Sequence, residues 1–237
     1  MSELFQGFVK AIELIFERDP ALWAIVILSL RVSGIALLIS TIVGIPLGAF
    51  LGMSRFVGRS LFIILIYTGM GFPPVVIGLF VYLLLSRGGP LGQLESDLIP
   101  RLFTPGAMIF AQSIIAFPLI AGFTMAAVLG VDPQIRMQAR ALGATRWQSM
   151  LTTLSEARIG VLVAIVAGFG SIISEVGAVM LVGGNIEDKT RVLTTAIVLE
   201  TRKGNFQLAL ALGIILLSLA FLANFLMLRL QGRTIDE

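Results

Sequence analysis

The sequence predicts an all-α integral membrane protein with five transmembrane helices, an N-terminal amphipathic helix and a cytoplasmic elbow of two short helices. Three observations carry that expectation. Apolar residues fill 57% of the 237 positions and charged residues only 13%, against roughly 45–50% and about 25% in a soluble domain. Five segments each supply the ~20 apolar residues that a ~30 Å hydrocarbon core requires. Those segments are also too long and too uniformly apolar for barrel strands, which alternate over about ten residues.

The elements follow in chain order. Phe5, Phe8, Val9, Ile12, Ile15 and Phe16 share one arc of a helical wheel, with Glu3, Lys10, Glu13 and Glu17 opposite. Leu4–Phe16 is therefore expected to lie in the interface or against the bundle. It lacks the basic start and unbroken apolar stretch of a cleaved signal peptide. The first span, Ala21–Gly52, is overlong. Its Gly44, Gly48 and Gly52 at four-residue spacing permit close helix approach, within the subunit or at a dimer seam.

The second span, Leu61–Leu85, is interrupted by Gly69, Gly71, Pro73, Pro74 and Gly78. Proline deletes backbone donors, and free carbonyls at membrane depth are tolerated only inside protein or beside a wet cavity. Pro73 and Pro74 thus mark either a hinge lining a pathway or a kink that serves packing. The third span is Gly106–Val131.

Residues 132–155 form the most polar long connection. Asp132 suits an N-cap and Pro133 the first helical position. Gly143 falls where a helix ends on a left-handed residue, and Thr145 can cap a second short helix through Trp147 and Met150. A rigid elbow results, hung between membrane spans. The fourth span is Ile159–Gly183 and the fifth Phe206–Leu230. No linker or repeat divides the chain, so residues 1–237 are read as one domain.

Orientation follows Lys and Arg. Arg55, Arg59, Arg136, Arg140, Arg146, Arg158, Arg229 and Arg233 lie on one side. Lys10, Arg18, Arg87, Arg101, Lys189, Arg191, Arg202 and Lys203 lie on the other, so the count ties. The tight first connection, with Arg55 and Arg59, and the net acidic N-terminal helix place the N-terminus outside and the C-terminus in the cytoplasm.

The absences exclude whole classes of chemistry. With no Cys and no His, disulfides, thiolate nucleophiles, His general acid/base work and most zinc or haem ligation are excluded. None of the three lysines completes the GK[ST] of a phosphate loop, so the chain does not hydrolyse nucleotide by that route. A surplus of only three positive charges fits membrane topology and lipid contact rather than nucleic-acid binding.

In the elbow, Ala139-Arg-Ala-Leu-Gly143 resembles the cytoplasmic signature of permease subunits of ATP-binding-cassette (ABC) importers, although Met137 and Gln138 replace its opening Glu-Ala. Gly88-Gly-Pro-Leu-Gly92, Phe103-Thr-Pro-Gly-Ala107 with Ala111-Gln112, and Ser174-Glu-Val-Gly-Ala178 followed by Gly184-Asn-Ile-Glu-Asp-Lys-Thr-Arg191 are similar to molybdate-type oxyanion permeases. Ser155-Glu-Ala-Arg158 and Thr194–Gly204 resemble the tungstate-specific branch.

The resemblance implies a type I importer permease moving an oxyanion, tungstate first and molybdate or sulfate as alternatives, by alternating access. It implies two permease copies, two separate ATPase subunits carrying ATP and magnesium, and an extracytoplasmic binding protein. The permease itself would hold no cofactor or metal.

Within that frame, Ala139, Arg140, Leu142, Gly143, Arg146 and Trp147 are the expected ATPase-coupling residues, Leu142 and Trp147 as apolar anchors. Arg140, Arg146 and Arg158 could instead meet lipid phosphates. Arg31 and Glu175 are the well-embedded charges, which by default raise a functional hypothesis. They fall at depths that allow an ion pair; otherwise Arg31 snorkels to water. Ser174 and Glu175 open the expected gate region. Thr190 and Arg191, with Lys189, Arg202 and Lys203, make the outer mouth locally basic, for steering an anion or docking a partner. Two other classes make different demands on the sequence. An ion-gradient transporter needs paired broken helices, and a membrane enzyme would need clustered carboxylates at a membrane face.

Overall fold

The computed structural model describes residues 3–17, 20–94 and 96–230; Arg18 and Arg233 of the charge count lie outside them. Every regular element there is helical. Helix α1 (Glu3–Phe16) packs along α11 (Phe206–Leu230), and Gln207 Nε2 donates to Gln6 Oε1 at 2.6 Å. Phe5, Phe8 and Phe16 of α1 stay at least half exposed, as suits a helix whose apolar side meets lipid.

Helices α2 (Pro20–Met53) and α5 (Pro105–Leu129) run parallel in close contact. The glycine ladder makes that seam. A side-chain carbon at Gly48 would run into the Ala121 carbonyl, and one at Gly52 would lie 3.0 Å from Val128 Cγ1. Ser40 Oγ donates to the Ser113 carbonyl at 3.0 Å across the same contact. The glycines therefore serve packing within the subunit.

Two expected spans are not single helices. Residues 61–85 divide into α3 (Arg59–Met70) and α4 (Pro74–Leu85), bent by 104° at the Gly71–Pro73 break. Pro73 holds the N-cap position of α4 and Pro74 its first turn. Residues 159–183 are not one helix either. Helix α8 (Arg158–Ile173) stops, and α9 (Gly177–Gly183) begins after a break at Ser174–Val176. Ser174 Oγ folds back onto the Gly170 carbonyl at 2.7 Å, and the Glu175 amide takes an i−3 partner, the Ile172 carbonyl, at 3.3 Å. Such local tightening ends a helix.

The elbow is α6 (Pro133–Ala141) and α7 (Arg146–Glu156), and α7 enters α8 through a 72° bend. Helix α10 (Leu193–Arg202) then leads to α11. Three helices, Pro20–Met53, Pro105–Leu129 and Phe206–Leu226, are long and apolar enough to cross a bilayer alone; the count reaches five only if each bent pair is one crossing. The largest core cluster draws Val32, Val81, Met108, Ile120, Ile172 and Val179 from α2, α4, α5, α8 and α9. A second joins Leu22 and Val26 to Leu193, Ala196, Ala211 and Leu212 of α10 and α11.

Candidate functional site

The elbow is built by local chemistry. Asp132 accepts from the Gln134 amide at 2.8 Å, filling one donor that a helix start leaves open. At the other end of α6, Gly143 adopts φ 87°. Its amide bonds the Arg140 carbonyl and the Ala144 amide bonds the Ala139 carbonyl, each at 3.0 Å. That pair of reversed bonds is the Schellman closure, which needs a residue tolerant of the left-handed region. One residue later Thr145 and Gln148 cap each other reciprocally at 2.8 and 3.2 Å, a capping box that starts α7.

The tip this produces is apolar, flanked by arginines. Leu142 is 89% exposed and Trp147 63%; Arg140, Gly143 and Arg146 are exposed as well, and Ala139 is half buried. Behind the tip, Arg136 Nη1 donates to the Met53 carbonyl at 3.0 Å and Arg59 Nε to the Leu51 carbonyl at 2.7 Å. Two guanidiniums thus satisfy the last carbonyls of α2 and oppose the negative end of its dipole. All six expected coupling residues lie in this one projection.

The expected gate residues are more dispersed. The Glu175 carboxylate accepts from the Ala178 amide at 2.9 Å, so it caps α9. Arg31 is exposed. The ion pairs among the described residues, Lys10 with Glu13, Arg191 with Glu187 and Lys203 with Glu200, include neither Arg31 nor Glu175. An Arg31–Glu175 pair is therefore not formed among the described residues. Thr190 is fully buried; its hydroxyl donates to the Gly183 carbonyl at 2.6 Å and accepts from the Ile186 amide at 2.9 Å. It pins the loop after α9 rather than facing a passage. Arg191 pairs with Glu187 at 3.2 Å with a side chain only 17% exposed. Beside Glu200, the Lys203 ammonium and then the Asn205 amide hold that carboxyl below the usual carboxylate range against a burial cost.

Sequence reasoning passed over a polar belt at the depth of the α8 break. Gln112, 3% exposed, donates from Nε2 to the Ile172 carbonyl at 2.8 Å. Ser29 Oγ accepts from the Leu193 amide at 2.9 Å, capping α10 from another helix. Thr194 Oγ1 donates to the Glu175 carbonyl at 2.9 Å. The available signal was a glutamine and serines inside apolar runs, where polar groups must find partners. No group of acidic side chains among the described residues is placed to hold a metal ion.

Together these features define a class: a multi-pass helical membrane component with a protruding elbow and broken helices behind it. The chain belongs to the binding-protein-dependent transport system inner membrane component family, whose model matches residues 44–236. It is 44% identical over 216 residues to a probable anion ABC transporter permease of Haloferax volcanii, covering 89% of this chain and 91% of that one. To the tungstate uptake system permease TupB of Peptoclostridium acidaminophilum it is 39% identical over 231 residues, covering 98% and 99%. Among solved structures, a chain of a bacterial alginate ABC transporter in complex with its alginate-bound periplasmic protein superposes with a TM-score of 0.76 at 21% identity, over 98% of this chain and 88% of that one. At that identity the likeness establishes the fold.

Proposed function

We propose that this chain, acting as one permease domain over residues 1–237, is the membrane subunit of an ABC importer for tungstate. The observation that carries the substrate is its 39% identity, over nearly the full chain, to a tungstate uptake permease. The coupling role rests on the elbow, whose rigid, apolar, arginine-flanked tip has the character of a docking anchor. In this reading two permease copies form the pathway, two ATPase subunits bind and hydrolyse ATP with magnesium, and an extracytoplasmic protein delivers the anion. The N-terminus is outside, and the elbow lies in the cytoplasm.

The packing supplies a route for the motion. Force on Leu142 and Trp147 moves α6 and α7 together, because the caps on either side of Gly143 fix their angle. Helix α7 continues into α8 at Ala157, which is buried with Ala49 and Val128. The far end of α8 is the Ser174–Val176 break. Beyond it α9 bears on α4, where Gly78 lies against Ala178. The Pro73–Pro74 hinge at the start of α4 then takes up the displacement, and the pathway alternates between its two mouths.

The test is to co-express the chain with its ATPase and binding protein, reconstitute the complex, and measure tungstate uptake and tungstate-stimulated ATP hydrolysis. A β-branched residue cannot take φ 87° without strain, whereas asparagine tolerates it. Gly143→Val is expected to lower stimulated hydrolysis about tenfold and Gly143→Asn to leave most of it. Equal activity in both variants would remove the elbow from the mechanism, and stimulation by molybdate but not tungstate would overturn the substrate.

A further inference from the structure

Between the end of α2 and the elbow lies a cavity of about 560 Å³. Four guanidiniums line it: Arg55, Arg136, Arg140 and Arg146, with Trp147 and Ser149 beside them. None of the four is in an ion pair among the described residues. Asp132 and Glu156 line a separate cavity of about 330 Å³ between α5, α6 and α8, and neither is ion-paired with the four among the described residues. Arg55, Arg140 and Arg146 are exposed, so solvent screens part of their mutual repulsion, and a bound anion would offset the rest.

A second observation also points to a ligand. Ser149 is 3% exposed, and its hydroxyl has no hydrogen-bond partner. A buried hydroxyl left unpaired costs about 1–3 kcal/mol, so this donor calls for an acceptor.

We propose that this pocket binds a tetrahedral phosphate-type oxyanion. Guanidiniums match its oxygens in bidentate fashion, and the Ser149 hydroxyl supplies one neutral donor. Two sources share this chemistry. Phe50 and Met53 give the pocket an apolar wall at the end of α2, which suits the headgroup of an anionic phospholipid; free inorganic phosphate would meet the same donors. In either case the ligand ties the elbow to α2, alongside the Arg136–Met53 bond, and stiffens the joint that the proposed mechanism moves. The inference does not depend on which anion is transported.

The experiment uses the full chain in nanodiscs of neutral phosphatidylcholine. Trp23→Phe leaves Trp147 as the chain's one tryptophan, a reporter inside the pocket. Inorganic phosphate and, separately, dihexanoyl phosphatidic acid are titrated while Trp147 emission is followed. A saturable change is expected, with affinity at least tenfold weaker in Arg55→Gln and in Arg136→Gln. Phosphatidic acid binding tenfold or more above phosphate assigns the site to a lipid headgroup; equal affinities assign it to a free anion. Arg55 makes no hydrogen bond or ion pair among the described residues, so if Arg136→Gln fails to fold, Arg55→Gln decides alone. Absence of a saturable response to both probes overturns the proposal, as does unchanged affinity in Arg55→Gln. So does loss of ATPase association in Arg55→Gln with anion affinity intact, which would make the cluster a protein contact.

Discussion

At the elbow, the side-chain bonds that set the turn join residues two or three positions apart: Asp132 with Gln134, Thr145 with Gln148. At the α8–α9 break and the neighbouring start of α10, further bonds reach much farther. Thr194 meets Glu175 across 19 positions, Gln112 meets Ile172 across 60, and Ser29 meets Leu193 across 164. Both regions interrupt helices and both use local bonds, Ser174 to Gly170 and Glu175 to Ala178 at the break. The break adds several partners from distant helices, where the elbow adds one among the described residues, Arg136 to Met53. In the proposed mechanism the elbow is seized by another protein and moved as a unit, which favours a shape set mostly by its own residues. A break in the bundle held by distant partners changes shape when those partners shift.

Substitutions can test that contrast, and the bundle should suffer most. Gly48→Leu forces a side chain into the Ala121 carbonyl at the α2–α5 seam, where overpacking costs about 3 kcal/mol or more. The purified variant is expected to unfold at a much lower temperature in nanodiscs, with the elbow lost along with the bundle. A normal midpoint would mean that α2 and α5 are not closely packed. Gln112→Leu is the sharper probe. It removes the shorter bond to the Ile172 carbonyl, which keeps the Glu175 amide at 3.3 Å, at about 0.5–1.5 kcal/mol. Hydrogen exchange should rise at α8, α9 and the start of α10 while α6 and α7 stay protected; faster exchange confined to the elbow would reverse the assignment of the two regions. Thr145→Ala should have the narrowest effect. Loss of a helix cap costs about 1 kcal/mol, so the thermal midpoint should barely move while exchange quickens only in the first turn of α7. A large global destabilisation would show that the elbow leans on the bundle after all.

The same contrast explains what could be read from the chain. Asp132, Pro133, Gly143 and Thr145 carry their instructions locally, and each took the predicted role. The 104° break at Pro73 and Pro74 was equally legible, because proline acts on its own backbone. The α8–α9 break was not. Residues 159–183 are long and apolar enough for one span apart from Ser171, Ser174 and Glu175, and the stop at Ile173 depends on Ser174 folding back and Glu175 capping forward. A polar side chain can do either wherever the surroundings permit. Thr190 likewise looked like a residue of the mouth, yet burial makes it a pin for its own loop. Depth along a sequence says little about which way a side chain turns, so the Arg31–Glu175 pairing could be framed from position but not decided by it.

The length of α2 carries one more consequence. Thirty-four residues make a rod of about 51 Å, well beyond a hydrocarbon layer of ~30 Å. Placing Met53 at one headgroup plane would put Arg31, ~33 Å away along the helix, at the opposite one. On that placement the guanidinium would mark a waterline. What rises above it is a mast about eleven residues tall, and its apolar flank, Leu22 and Val26, is stayed by α10 and α11 instead of lipid.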